Sequence, residues 1–291
     1  MAIGGIHTEW LFRVRRKGGF TDRRSLLDLG PQDIQTSRPY LLASITRNLD
    51  ADPESTAAAI FEGDRPRRDC QKSYYSLFGI EEYRSADRDD DRADYNLDLN
   101  VPLGGMNLPV FDVVTNFGTA EHVFDIAQVF ASMHDLLAPG GLALHVVPAF
   151  AFPNHGFYTP NPNVFVEFAR ANQYELLDFS YVDNMFVRDR TLSAVDGLDF
   201  DALRIRLEDM TDTQHFMTKV VLTFYENLVA DETRRALADL APDAETKRYP
   251  SADYHLCFVF DLVFVAMVKP RDKRPLVPPI QRMEGVAPLR M

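Results

Sequence analysis

The sequence predicts an α/β fold, a doubly wound and mostly parallel sheet with helices on both faces. Three observations predict it. Short apolar runs without clean apolar–polar alternation recur along the chain, as in strands covered on both sides. Two of them bracket an amphipathic helix in strand–helix–strand order, the unit whose crossover is right-handed. Several runs end in Asp, Asn or Gly, the residues expected where an open α/β sheet binds ligands, beyond the carboxyl ends of its strands.

The first run is SLLDLG (25–30), closing on an acid and a glycine. EYRSADRDD (82–90) supplies the second, with Asp87 at its end, and NLDLNVPL (96–103) follows with Asp98 and Asn100. FDVVT (111–115) and LALHVV (142–147) are the pair that brackets the helix. Val123, Ile126, Ala127, Phe130, Met133 and Leu137 recur at helical spacing along one face of that helix. Thr119 is the expected N-cap, and APGG (138–141) the expected terminator. A further helix over Asn163–Asn172 precedes the strand-like YELLDFSYV, and FVFDLVFVAMV (258–268) closes the core. The tail KPRDKRPLVPPI reads as peripheral.

Residues 1–291 read as a single domain with two insertions. Segment 36–78 follows the first strand and segment 188–253 precedes the last. Both exceed the usual connection length and are expected as lids or covering elements. No internal repeat and no low-complexity tract stands out.

The chain has 291 residues, 46% of them hydrophobic, enough for one large core. A formal charge of −12 argues against a general electrostatic grip on nucleic acid. No run approaches the ~18 apolar residues of a membrane span, and the N-terminus lacks the apolar centre of a signal peptide. Two distant cysteines, Cys70 and Cys257, fit a reducing compartment, so a cytoplasmic protein is expected. The acidic run DRDDDRAD (87–94) lacks the glycine and terminal Glu of a calcium loop. Oligomeric state is left open.

The expected strand ends bring together Asp28, Gly30, Gln32, Asp87, Asp98 and Asn116–Phe117–Gly118. A glycine admits close backbone approach, and an acid at the second strand end can accept both hydroxyls of a ribose. The array therefore suits a nucleoside-containing cofactor. A dinucleotide would need G-x-G-x-x-G to seat its pyrophosphate, whereas this turn reads GPQDIQ, with one glycine and an acid.

LLDLGPQD, YRSADRD, LDLN, FDVVTNFGTAEHV, HDLLAPGGLALHVVP and HGFYTPNPNVFVEFARANQY follow one another here with a compatible spacing. In this the sequence resembles the class I S-adenosylmethionine-dependent methyltransferases, closest to the type-11-like branch associated with small-molecule, glycan and natural-product methylation. The resemblance covers about residues 20–185 and again the last strand. It departs in the first motif, where only Gly30 stands in place of two or three glycines. It implies a Rossmann-like, seven-stranded sheet, S-adenosylmethionine as cofactor and S-adenosylhomocysteine as product. By position, it places Asp28 and Gly30 along the methionine part, Asp87 on the ribose, and Asp98 with Leu99 beside the adenine, with Gln32 also among the cofactor-binding residues. Asn116, Phe117 and Gly118 would flank the sulfonium.

The histidines divide by position. Glu121 is expected in the first turn of a helix, where a carboxylate complements the macrodipole, and His122 beside it is a secondary catalytic candidate. His134 lies on the helix flank, and His145, inside a central strand, reads as a core histidine. His155 stands in the Pro/Gly/aromatic loop after LALHVV, facing the expected crevice. A histidine near its reference pKa of ~6.5 suits a general base there, with Asn154 and Tyr158 as substrate-orienting neighbours. A metal site from His122, His145 and His155 lacks helical ligand spacing, so none is expected. The expected function is thus methyl transfer to a small-molecule acceptor by direct in-line displacement. The alternatives are transfer of another group from the same cofactor or its decarboxylated form, a catalytically inactive cofactor-binding partner subunit, and a nicotinamide oxidoreductase.

Overall fold

In chain order, the elements begin with strand β1 (Ala2–Ile3), helix α1 (Gly5–Arg16), β2 (Ser25–Leu29) and β3 (Asp33–Ile34). Then come α2 (Arg38–Asn48), α3 (Pro53–Ala58), β4 (Phe61–Glu62), β5 (Arg65–Pro66) and α4 (Gln71–Ser76). β6 (Glu82–Asp87), β7 (Tyr95–Asn96), β8 (Phe111–Phe117), a 3-10 turn at Ala120–His122, α5 (Ile126–Leu136) and β9 (Leu137–Phe150) follow. The last are α6 (Asn163–Asn172), β10 (Glu175–Asp183), β11 (Arg204–Ile205) and β12 (Asp261–Val268). This computed structural model describes residues 2–104, 106–150, 155–183, 204–205, 261–272 and 274–280.

The main sheet runs β11-β10-β12-β9-β8-β2-β6-β7. β9, β8, β2, β6 and β7 pair in parallel, and β12 enters antiparallel between β9 and β10. The seven expected strands form a Rossmann-like, doubly wound sheet, and β11 adds a two-residue edge. From β2 the chain steps outward through β6 to β7, then returns to β8 on the other side of β2. The order therefore reverses between β2 and β8, and the ligand crevice of such a sheet opens at that reversal.

Period-2 alternation sends Leu26, Val113, Leu142 and Leu144 to one core with α1, α2 and α4. Leu27, Leu29, Val114 and Ala143 go to the other, with α5 and α6. Both faces are thus covered, which is why these strands read as unbroken apolar runs.

Two expectations about elements are corrected, the start of the helix after β8 and the place of APGG. The helix after β8 starts at Ile126, where Asp125 is its N-cap and accepts from the Gln128 N–H at 3.1 Å. Thr119 does not cap it; its hydroxyl donates to the Leu29 carbonyl across the sheet instead. APGG lies inside β9 rather than beyond the helix, because the extended Leu137 already ends α5. Segment 36–78 folds as α2, α3, the β4–β5 hairpin and α4, and its Tyr40, Leu41, Ile45, Ile60, Tyr74 and Tyr75 are built into the core. Of segment 188–253, only residues 204–205 lie within the described residues.

Helix α1 closes the face formed by α2 and α4. Trp10 is fully buried, and its indole N–H donates to Asp178 at 2.9 Å. Arg13, Lys17 and Ser180 donate to the same carboxylate at 2.8, 2.6 and 2.8 Å, tying α1 to β10.

Candidate functional site

The crevice at the reversal is built around a missing side chain. Gly30, just past β2, has φ +84°, and its N–H donates to Ala86 at 2.7 Å. A Cβ there would lie 3.2 Å from Thr119 Oγ1, 3.6 Å from Gln32 Nε2 and 3.7 Å from Asp87 Oδ2. The ends of β2, β6 and β8 thus converge on bare backbone. Asp87 Oδ1 is fixed by the Asp89 and Asp90 N–H groups at 2.8 and 3.0 Å, while Oδ2 is the oxygen on the Gly30 side. An open hollow of ≈ 770 Å³ adjoins it, lined by five aspartates, Asp87 among them, and by Arg68 and Arg92. Arg92 binds Asp33 and Asp90 at 2.6 and 2.7 Å, so much of that charge is paired internally.

Gln32 is buried beneath the turn. Its Nε2 donates to the Gly30 carbonyl at 2.9 Å, and among the described residues no donor reaches its Oε1. A buried acceptor without a donor is costly unless something occupies the space in front of it. His7, which the sequence reading passed over, accepts from the Gly4 N–H at Nδ1 and leaves its Nε2 N–H without an acceptor among the described residues, with its ring 6.2 Å from that of Phe117. Burial pushes the His7 pKa down to about 4, so the ring is neutral near pH 7.

Asp28, Asn116, Phe117, Asp98 and His145 each have partners within the fold. Asp28 does not line the crevice. It has no exposed surface, and its carboxylate accepts from Tyr75 at 2.9 Å, from Tyr83 at 3.0 Å and from Thr115. Asn116 does not face it either. Its Oδ1 accepts from the Ala120 N–H at 2.9 Å, and its Nδ2 lies 3.1 Å from His145 Nδ1, so it holds the turn from behind. Phe117 points into the core against Trp10 and His7. Gly118 carries φ +70°, and its N–H donates to Val146 at 2.9 Å, anchoring the turn to β9. Asp98 caps its own turn through the Asn100 N–H and side-chain amide, at 2.9 and 2.8 Å, and Leu99 is buried. His145 is the core histidine its strand position predicts, stacked on Phe130 and driven down to about 3 by burial.

The larger correction concerns Glu121. It does not sit in a solvated helix turn; it lies in the 3-10 turn with 0% exposure, and neither carboxylate oxygen receives a hydrogen bond among the described residues. His155 Nε2 lies 3.7 Å from Glu121 Oε1, and the His155 and His122 rings are 4.8 Å apart. Burial lowers the His122 pKa; the Glu121 charge opposes this, and His155 adds to it. Backbone contacts enforce the meeting. The Phe157 and Tyr158 N–H groups both donate to the Glu121 carbonyl, at 2.8 and 3.2 Å. A Cβ on Gly156 would stand 2.7 Å from that carbonyl oxygen. The glycine directly after His155 was the available signal for this approach, since bare backbone often marks a close contact. Tyr158 spends its hydroxyl on the Phe124 carbonyl at 2.7 Å, and Asn154 lies outside the described residues. Beside the cluster, Phe124 and Phe157 are 72% and 66% exposed and meet edge to face at 5.9 Å.

Neither a protein-family model nor a curated protein matches this chain. Among solved structures it is similar to the StiE O-MT, at 13% identity over 92% of this chain and 75% of that one, with a TM-score of 0.39. A SAM-dependent methyltransferase from Archaeoglobus fulgidus is 12% identical over 89% of this chain and 94% of that one, with a TM-score of 0.37. Phosphoethanolamine N-methyltransferase 2 of Haemonchus contortus, solved with S-adenosyl-L-methionine, is 15% identical over 90% of this chain and 52% of that one, at 0.38.

Proposed function

We propose that the chain is an S-adenosylmethionine-dependent methyltransferase acting on a small-molecule acceptor. One observation carries the reading: Asp87 Oδ2, at the end of β6, faces the Cβ-less turn at Gly30 beside the strand-order reversal. That pairing suits a ribose, whose hydroxyls donate to the carboxylate while the adjoining chain of the ligand passes over the glycine. A dinucleotide is disfavoured, because the turn leads into β3 and the next helix, α2, starts only at Arg38, so the chain after the turn offers no helix N-terminus there to hold a pyrophosphate.

The residues present fit the cofactor. Gln32 Oε1, a buried acceptor lacking a donor, can take a hydrogen bond from its amino group. Leu99 offers an apolar edge to the adenine, and Gly118 with Thr119 borders the sulfonium end. When bound, S-adenosylmethionine supplies a methyl carbon already activated by the sulfonium. The protein's task is then alignment and exclusion of water. For a hydroxyl acceptor, His155 takes up the proton, and buried Glu121 stabilises the resulting imidazolium. Exposed Phe124 and Phe157 form an apolar wall for the acceptor.

Thermal-shift titration tests the reading. S-Adenosylmethionine and S-adenosylhomocysteine should each raise the melting temperature and NAD should not. Absence of a shift with both adenosyl ligands would overturn it.

A further inference from the structure

We infer that Glu121, His122 and His155 form a binding site for one divalent transition-metal ion, at the acceptor side of the crevice. Each residue offers one ligand atom, and the three atoms all lie within 4.8 Å of one another. Ligand atoms sharing an ion at ~2.0–2.2 Å stand roughly 3–4 Å apart, so a small inward shift of the side chains completes the set.

The independent observation is the carboxylate. Glu121 has 0% exposure, and both its oxygens lack hydrogen-bond donors among the described residues. A bound cation would offset the cost of burying a carboxylate in that condition. The His155 ring does not satisfy it: the 3.7 Å approach to Oε1 exceeds hydrogen-bond range and leaves Oε2 unserved. The fold also works to bring the groups together. Gly156 presses its backbone onto Glu121, and two N–H groups hold the Glu121 carbonyl.

Two imidazole nitrogens and one carboxylate oxygen select zinc, iron(II), cobalt(II) or manganese(II) over the all-oxygen preference of calcium and magnesium. Three protein ligands leave further positions open, and His122 and His155 are both on the exposed side. Resting on the proposed methyl transfer, the site specifies the acceptor class as a hydroxyl compound, best one with a second oxygen to chelate the ion. The ion lowers the pKa of the acceptor hydroxyl, which releases its proton to solvent. The oxygen then bonds the methyl carbon while the methyl–sulfur bond breaks, and the sulfur keeps that electron pair as a neutral thioether. With the ion bound, His155 serves as a ligand and not as the base.

The test is titration of chelator-treated full-length protein with Co²⁺, followed by its visible absorption. Saturation at one equivalent per chain is expected. Glu121→Gln and His155→Ala should each weaken it by at least the ~10–100-fold that even an outer-shell loss costs. Glu121→Gln keeps the buried shape, and His155 is exposed, so both variants should fold. Both should also keep the parent's thermal shift with S-adenosylmethionine, which separates failure of this site from failure of the cofactor reading. Absence of one-to-one Co²⁺ binding by the parent, or unchanged affinity in both variants, would refute the site.

Discussion

Asp28 sits one position before the end of β2 with three hydroxyls aimed at its carboxylate. Burial raises its pKa, the hydroxyls of Thr115, Tyr75 and Tyr83 oppose this, and the net is a rise from 3.8 to about 6. A carboxyl raised in the folded state contributes stability that is fully present below its unfolded value and lost as pH climbs through its folded one. The loss is on the order of 3 kcal/mol, complete above about pH 6. Asp28→Asn should therefore gain on the parent between about pH 4 and 6.5 in chemical denaturation; a constant difference across that window would contradict the assignment. The same residue marks a limit of sequence reading. An acid one position before the strand end looks like a ligand, but register decides where it points. Asp28 pairs with Ser85 and Thr115, on the face opposite Leu27 and Leu29. Its hydroxyl partners on α4 and β6 are 47 and 55 residues away. Gly30 and Asp87, by contrast, stand at strand ends, where the strand pattern itself directs attention.

Among the elements, the central strands and α5 were readable because burial on both faces, and on one stripe, leaves a direct pattern. The start of α5 was not, since Thr119 and Asp125 are both good N-caps. The contest was settled by the Leu29 carbonyl, a tertiary partner that takes the Thr119 hydroxyl. Helix α1 escaped notice because HTEWLFRVRR mixes polar and apolar residues around its circumference, and most of them are buried. Its polar groups are satisfied across the fold, above all at Asp178, which receives Trp10, Arg13, Lys17 and Ser180. Asp178→Ala leaves an indole N–H and two cations without that partner. It should cost about 3–5 kcal/mol in urea unfolding, the range for breaking a buried pair. A loss under about 1 kcal/mol, the size of a surface pair, would show that α1 is held by packing alone.

For the whole molecule, acid stability follows from two buried histidines set against one aspartate. His7 and His145 are depressed to about 4 and about 3 by burial, so their contribution is present above the unfolded value of 6.5 and lost as pH falls through the folded ones. Asp28 acts in the opposite sense, so between about pH 4 and 6 these three groups leave the unfolded chain with about one more proton than the folded one, and the lowered His122 and His134 add in the same direction. Stability should then fall by at least roughly 1.4 kcal/mol per pH unit on acidification through that range. Stability that holds flat or rises toward acid would contradict this balance. Topology gives these residues their setting, because the strand reversal between β2 and β8 opens the crevice where Gly30, Asp87 and Thr119 converge. The Glu121 cluster, two residues beyond Thr119, lay outside the reach of local sequence because its third member arrives from the loop after β9. The most direct measurement is calorimetric titration with S-adenosylmethionine of the parent and of Asp87→Ala. The parent should bind one equivalent and the variant at least tenfold more weakly, by about 1.4 kcal/mol or more. Equal affinities, or no binding heat with the parent, would contradict a nucleoside cofactor held at this turn.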